Sequence, residues 1–456
     1  MLDWNRLLNP ARRKELAGVK SSSGTGASRT ELQRDYDRIL FATPTRRLAD
    51  KTQVFPMEKN DSVRNRLTHS HEVSNLARSI GMRLAFDFTE QVFGPKHEEL
   101  DVKRNVPSLL AAVGLAHDLG NPPFGHQGEI AIQQWFRNTY PERQGGSAIQ
   151  CFRRKQEIED DFLEFDGNAQ TFRLLTRLQM LNDQFGLNLT VATLAALVKY
   201  PSVYGSGDKK GYKKYGIFRS EKSIIDEVWE HTGLQCGVRH PLAYVMEACD
   251  DIAYSIIDAE DTVKKGYASF YDLMDYLDSS AESDPVIKEV VEFSRAKNAE
   301  FRSNELSSRE LNDISMQMFR VKAIAKMVDA ATAVFVENSN KILAEDTEPG
   351  FELIKHSTCA KLCKTVKDFD LRHGFRHMDV LRLELEGNNY IQSMMGMVWK
   401  AIIRADEDHR PFERYVFGAI SENYRRVFLG TDKSLYAKHQ LLSLLSKIAE
   451  TAGTVP

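Results

Sequence analysis

The sequence predicts an all-α protein: a mainly helical core, a helical C-terminal extension and one minor hairpin or loop insertion. Two observations carry this reading. Most long segments repeat their apolar residues with the period of about 3.6 expected of amphipathic helices, and runs of alternating β-branched residues are scarce. With 456 residues, 42% of them hydrophobic, and 61 Lys+Arg against 64 Asp+Glu, the chain is long and apolar enough for substantial cores. Such a composition excludes disorder as the dominant state, and the net charge of -3 argues against a dedicated nucleic-acid coat.

Taken in order, residues 1–28 are expected to form a mobile N-terminal segment, because 18–28 (GVKSSSGTGAS) are too small and polar to supply an apolar face. Order is expected from Arg29, and residues 29–277 form the core. A helix opens around Thr68-His-Ser-His-Glu-Val, where Val73, Leu76, Ala77, Ile80 and Leu84 make an inward stripe. His69 lies on that stripe; His71, about 200° further round, points elsewhere. The apolar run Leu109 to Ala116 continues to Leu115-Ala-His-Asp-Leu-Gly-Asn-Pro-Pro-Phe-Gly-His126, and Gly120-Asn-Pro-Pro stops the helix with His117 and Asp118 at its end. There an imidazole nitrogen and a carboxylate oxygen can converge on one ion beyond the last turn; the bland alternative is a buried, capped histidine.

Residues 201–220 (PSVYGSGDKKGYKKYGIFRS) break the helical pattern and read as a loop or small hairpin. Its surroundings crowd Lys199, Lys209, Lys210, Lys213, Lys214, Arg219 and Lys222 into a local basic stretch. Residues 241–261 then form one helix in which Asp250, Tyr254 and Asp258 recur at every fourth position, bordered by Ala243, Met246 and Ile257. A solvated face would more often carry Lys or Glu. A weaker boundary at 278–287 (DSSAESDPVI) opens the extension, 278–456, which is expected to pack on the core and contribute to the pocket or to oligomer contacts.

Two histidines and two aspartates, His69, His117, Asp118 and Asp250, thus offer a mixed N/O site for a divalent metal such as Mn, Mg, Fe or Co, with positions left for water and substrate. Five cysteines, Cys151, Cys236, Cys249, Cys359 and Cys363, read as free thiols in so long a chain. His356, Cys359 and Cys363 lack the second pair that a tetrahedral zinc site needs. The apolar run at 109–116 is far short of the ~18 residues that span a bilayer, and the start lacks the apolar core of a signal peptide, so a soluble, cytoplasmic protein without membrane contacts is expected.

The ordered pattern His69, His117-Asp118, Asp250 resembles the signature of the HD hydrolase superfamily. Within it, Arg46-Arg-Leu-Ala-Asp-Lys-Thr-Gln-Val-Phe-Pro56, Arg66-Leu-Thr-His-Ser70, His117-Asp-Leu-Gly-Asn-Pro-Pro-Phe-Gly-His-Gln-Gly-Glu129, Phe165-Asp-Gly-Asn-Ala-Gln170 and Glu247-Ala-Cys-Asp-Asp-Ile-Ala-Tyr254 closely resemble bacterial deoxyguanosine triphosphate triphosphohydrolases. The similarity has specific motifs over about residues 30–265 and is diffuse thereafter, although Leu383-Glu-Leu-Glu-Gly387 also resembles that family; Asp166 stands where the family usually has Glu, and Cys249 where Ala is usual.

The resemblance implies an HD-domain core that splits a dNTP, dGTP favoured, into deoxynucleoside and inorganic triphosphate. It implies the four metal ligands named above and a catalytic pair, His126 and Glu129, in which Glu129 orients the imidazole. It further implies substrate contacts from Gln53 and Arg66 near sugar and phosphates, Tyr254 and Asp258 against the deoxyribose, and Asn168 and Lys214. A homo-oligomer is implied, with single-stranded DNA or a dNTP as effector. Two rivals remain open: another HD phosphohydrolase, acting on monophosphates, cyclic nucleotides or guanosine tetraphosphate, and a nucleic-acid-binding regulatory HD scaffold.

Overall fold

A computed structural model describes residues 1–19, 28–58, 60–139, 161–178, 184–206, 209, 211–281, 283–348, 350–403, 410–431 and 434–443. Cys151, Lys210 and most of the small polar run at 18–28 lie outside these residues. Among the described residues the elements are helical, and strand-like pairing is limited to isolated bridges.

The first turn, α1 (Trp4–Leu7), corrects the expectation of a mobile start. Leu2, Trp4, Leu7 and Leu8 are buried, the Trp4 indole N–H donates to the Val92 carbonyl at 2.8 Å, and the Leu2 N–H donates to the Leu343 carbonyl at 2.7 Å. Each buried side chain of this size stabilises the fold by about 1.5–3 kcal/mol, which ties down a segment whose neighbouring small polar run cannot tie itself. Next come α2 (Glu31–Leu40), entered through a reciprocal Thr30/Gln33 capping box, and the central pair α3 (Arg66–Phe86) and α4 (Val102–Ala116).

Helices α3 and α4 pack more extensively than any other described pair. Val73, Ala77, Ile80 and Leu84 are fully buried along α3, and the Ser74 hydroxyl donates to the Ala111 carbonyl at 2.8 Å. Gly114 permits the approach: a Cβ there would lie 2.8 Å from Ser74 Cα, closer than backbone atoms tolerate. The helices α5 (Gly125–Thr139), α6 (Gly167–Arg177), α7 (Val191–Leu197) and α8 (Lys222–Thr232) follow.

The predicted helix at 241–261 is interrupted. It runs as α9 (Pro241–Ile252), a π-helical turn (Ala253–Ile257) and α10 (Asp258–Lys264). Beyond it, α11 (Phe270–Ser280), α12 (Pro285–Phe301), the long α13 (Ser308–Leu343), α14 (Ala360–Asp370), a second π turn (Leu371–Phe375) and α15 (Met378–Ile403) continue the chain. One apolar core joins buried residues from Leu2 to Phe369, so packing is continuous across position 278. A second, aromatic-rich core joins Trp135, Phe162 and Phe218 to Ile391 and Met395 of α15.

The 201–220 stretch folds back on itself through Tyr204 N–H to the Ile217 carbonyl (2.9 Å) and Gly216 N–H to the Ser202 carbonyl (3.1 Å), which carries Lys214 toward α5. No described helix is long and apolar enough to cross a membrane.

Candidate metal centre and substrate cleft

Asn65 caps α3: its side chain accepts from the Thr68 N–H at 3.0 Å and its own N–H donates to the Thr68 hydroxyl at 3.1 Å. This start places Arg66 and His69, three residues apart, on one face in the first turn. The end of α4 supplies the next group. The His117 Nδ1–H donates to the otherwise free Gly114 carbonyl at 2.7 Å, which leaves Nε2 as the lone-pair nitrogen. Asp250 comes from the last turn of α9.

These three side chains converge. Asp250 Oδ1 lies 3.4 Å from His69 Nε2 and 3.5 Å from His117 Nε2, and one ligand atom of each residue lies within 4.8 Å of the others. Metal–ligand bonds of about 2.0–2.2 Å set neighbouring donors on one ion about 3 Å apart, so this spacing suits a shared cation. The residues fit such a cation: His117 Nε2, one of the converging atoms, is buried without a hydrogen-bond partner, an arrangement that costs free energy unless something occupies it.

The local field agrees. Burial works against a charged His117, yet Asp118 and Asp250 outweigh it and push its pKa up to about 9. Burial likewise opposes the Asp250 carboxylate, but its contacts with His117 and His69 and the charge of Lys199 hold it well below the usual range. A site that draws a proton onto buried imidazole also draws a metal cation.

Asp118, the fourth expected ligand, stands beside this triad rather than in it. Its Oδ1 is 3.5 Å from His117 Nε2 but accepts from Asn121 Nδ2 at 2.6 Å, and its Oδ2 pairs with Arg66 at 2.5 Å. The turn that carries it is tightly seated: the Gly120 N–H donates to Thr171 Oγ1 at 2.8 Å, and a Cβ on Gly120 would meet Gly167 O and Thr171 N at 2.2 Å.

The triad opens on a cleft of about 530 Å³ whose walls include Gln53, Arg66, Asp118, His126, Asn168 and Lys214. His126 Nδ1 lies 2.9 Å from Glu129 Oε2, and the opposite Glu129 oxygen accepts from the Gly167 N–H at 2.7 Å. That hydrogen bond to Glu129 is the main reason the His126 pKa is raised, against the opposing pull of burial. Lys214 is engaged by Asp166 at 2.5 Å and lies 3.5 Å from Glu129, so it is not a free surface lysine. Asn168 donates through Nδ2 to Asp166 at 2.8 Å, and Gln53 Oε1 is buried and unpartnered. His71 is exposed in a separate depression with Tyr36 and Arg78, away from the triad.

Of Asp250, Tyr254 and Asp258, predicted on one face by simple helical spacing, Asp250 and Tyr254 line the cleft. The π turn lies between Asp250 and Asp258; Asp258 is 1% exposed, does not line the cleft, and keeps one oxygen without a partner. Burial, with Asp261 nearby, pushes the Asp258 carboxyl well up.

Sequence reasoning missed several wall residues. Phe375, from the π turn after α14, stacks on Tyr254 with ring centres 5.6 Å apart, and Leu371 and Glu384 also line the cleft. Nothing in the local pattern signals Leu371 or Phe375, whereas Glu384 falls in the family-like stretch Leu383-Glu-Leu-Glu-Gly387. Lys199 and Tyr200 line it as well; membership of the basic stretch was the sole signal for Lys199, and nothing distinguished it from its neighbours there.

Residues 66–150 match the family model described as HD domain. The chain is 34% identical to a Listeria monocytogenes protein named deoxyguanosinetriphosphate triphosphohydrolase-like, over 93% of this chain and 90% of the relative. A Synechocystis protein of the same name is 35% identical over 85% of this chain and 83% of its own. An Enterobacter protein named deoxyguanosinetriphosphate triphosphohydrolase is 33% identical over 79% and 75%.

Proposed function

This chain belongs to the deoxyguanosinetriphosphate triphosphohydrolase-like family of HD-domain hydrolases, and from that premise we propose that it splits deoxynucleoside triphosphates, dGTP foremost, into deoxynucleoside and inorganic triphosphate. The observation that carries this proposal is the convergence of His69, His117 and Asp250 in the wall of a cleft that also presents Arg66, Lys199 and His126. In the proposed enzyme His69, His117 and Asp250, with Asp118 beside them, hold a divalent cation. When bound, the cation supplies Lewis acidity toward the α-phosphate.

Water adds its oxygen to the α-phosphorus, the bond from phosphorus to the 5′-oxygen breaks, and a proton completes the nucleoside hydroxyl. His126 moves the proton of this step through Nε2, with Nδ1 held by Glu129, a contribution of about 10²–10⁴ in rate. Arg66, Lys199 and Lys214 balance the charge of the phosphates. Tyr254 and Phe375 form the wall against the sugar, where a 2′-hydroxyl would be crowded. Gln53, with an unpartnered buried oxygen in the cleft wall, is the acceptor assigned to the 3′-hydroxyl; Asp258, which does not line the cleft, is not, and Asn168 lies in the wall, bonded to Asp166. We further take the enzyme to be a cytoplasmic homo-oligomer regulated by single-stranded DNA or dNTPs.

The test is to incubate the purified protein with each dNTP and with GTP, in turn with Mn²⁺, Mg²⁺, Fe²⁺ and Co²⁺, and to separate products by anion exchange. Inorganic triphosphate in equal amount to deoxynucleoside is expected. Release of orthophosphate or pyrophosphate, or equal kcat/KM for dGTP and GTP, overturns the proposal and favours another HD phosphohydrolase.

A further inference from the structure

Glu247 and Asp250 stand one turn apart on α9, an arrangement in which like charges repel. Asp250 lines the cleft and Glu247 does not. Both face the same cation: Lys199 Nζ lies 3.6 Å from Glu247 Oε1 and 3.8 Å from Asp250 Oδ2. Lys199 arrives two residues beyond the end of α7 and itself lines the cleft. Behind it, Glu247 Oε2 accepts from Arg239 Nη1 at 2.5 Å. The Arg239 side chain is 3% exposed, and its guanidinium carbon lies 5.1 Å from the Tyr212 ring centre and 4.8 Å from that of Tyr244. A row of alternating charge, Arg239, Glu247, Lys199 and Asp250, thus runs from the interior to the cleft and ends on a candidate metal ligand.

Glu247 is not one of the three side chains whose ligand atoms converge. Its contacts assign it a different task. A lysine ammonium on a flexible stem, offered Asp250 alone, would close onto that carboxylate and occupy the oxygens a cation needs. With Glu247 drawing on the same nitrogen, and Arg239 preventing Glu247 from swinging after it, the ammonium stands off from Asp250 at the cleft wall. We propose that Glu247, clamped by Arg239, is a positioning residue that holds Lys199 toward the phosphates of the substrate and off the metal ligand Asp250. The identity of the phosphate chain rests on the function proposed above; the geometry of the row does not.

The experiment uses Glu247→Gln, which keeps shape and a hydrogen bond from Arg239 while withdrawing the charge. Glu247→Asp, Lys199→Met and the double variant Glu247→Gln/Lys199→Met complete the set. Calorimetry on the full chain measures Kd for Mn²⁺ alone and for inorganic tripolyphosphate; KM and kcat for dGTP are measured at saturating Mn²⁺, and Tm by thermal melting. In Glu247→Gln, tripolyphosphate affinity is expected to fall and KM to rise about tenfold, with kcat within about threefold. Mn²⁺ affinity is also expected to fall in that variant, as Lys199 closes onto Asp250, and to recover in the double variant. Glu247→Asp should restore much of the loss, and adding Lys199→Met should cost tripolyphosphate binding little more, because the two act as one unit.

Additive losses in the double variant overturn the inference. So does a lowered Tm with unchanged tripolyphosphate and Mn²⁺ affinities, the signature of a merely structural ion pair. A wild type that binds both probes and responds as described, yet releases no triphosphate from any dNTP, refutes the proposed reaction and leaves the positioning role standing.

Discussion

Replacing Gly120 by Ala tests how strictly the turn after Asp118 is seated. The new Cβ would lie 2.2 Å from both Gly167 O and Thr171 N, two backbone atoms at the start of α6 that cannot rotate away as a side chain can. Reaching ordinary van der Waals contact requires the turn and α6 to part by about 1 Å, an overpacking that costs typically about 1–3 kcal/mol. The same parting weakens the Gly120 N–H bond to Thr171 and displaces Asp118 and Asn121 relative to the triad. A misplacement of about 1 Å at a reacting centre costs about 10²-fold in rate. Gly120→Ala is therefore expected to lower Tm by several degrees and kcat/KM by about two orders of magnitude. Gly396→Ala is the control: its nearest neighbour would be Trp135 Nε1 at 3.9 Å within helix α15, so the change should be neutral or stabilising by up to about 1 kcal/mol. Thermal melting and steady-state assays read both variants. Wild-type Tm and kcat/KM in Gly120→Ala would refute the packing account of the turn.

His117→Ala is expected to abolish Mn²⁺ binding in calorimetry and turnover together, because it removes one of three converging donors; His71→Ala, altering an exposed residue in another depression, should change either by less than about twofold. Stoichiometric Mn²⁺ with full activity in His117→Ala refutes the ligand assignment. Glu129→Gln tests the sign of the His126 shift. Since Glu129 raises the His126 pKa, the protonated form now persists to higher pH than in a free imidazole, and withdrawing the carboxylate should move the limb of the kcat–pH profile governed by His126 to lower pH. An unmoved limb shows that another group titrates there. Tyr254→Ala, by opening the wall made with Phe375, should narrow the preference for dGTP over GTP in competing-substrate kinetics; an unchanged ratio removes that wall from sugar selection.

What the sequence determined by itself is what local physics decides. The apolar stripe from Val73 to Leu84, the helix ending before His117 and the alternative to a helix at 201–220 all follow from periodicity, capping and turn residues within a dozen positions. The pairing of His126 with Glu129 was legible for the same reason, being a contact three residues apart on one helix. Expectation failed where a side chain's surroundings came from afar. Residues 2–8 read as part of a mobile start because the partners that bury them, Val92 and Leu343 among them, are distant in the chain. Asp258 was assigned to the pocket by counting residues, but it is buried and outside the cleft wall, past a π turn at 253–257 that no residue in that stretch announces. Phe375 gained a place against Tyr254, and Lys199 gained Glu247 and Asp250, only when helices far apart in sequence packed together. Tertiary structure alone decided these, because burial and charge pairing depend on distances in space, and the chain specifies such distances through the summed packing of the whole core rather than through any local pattern.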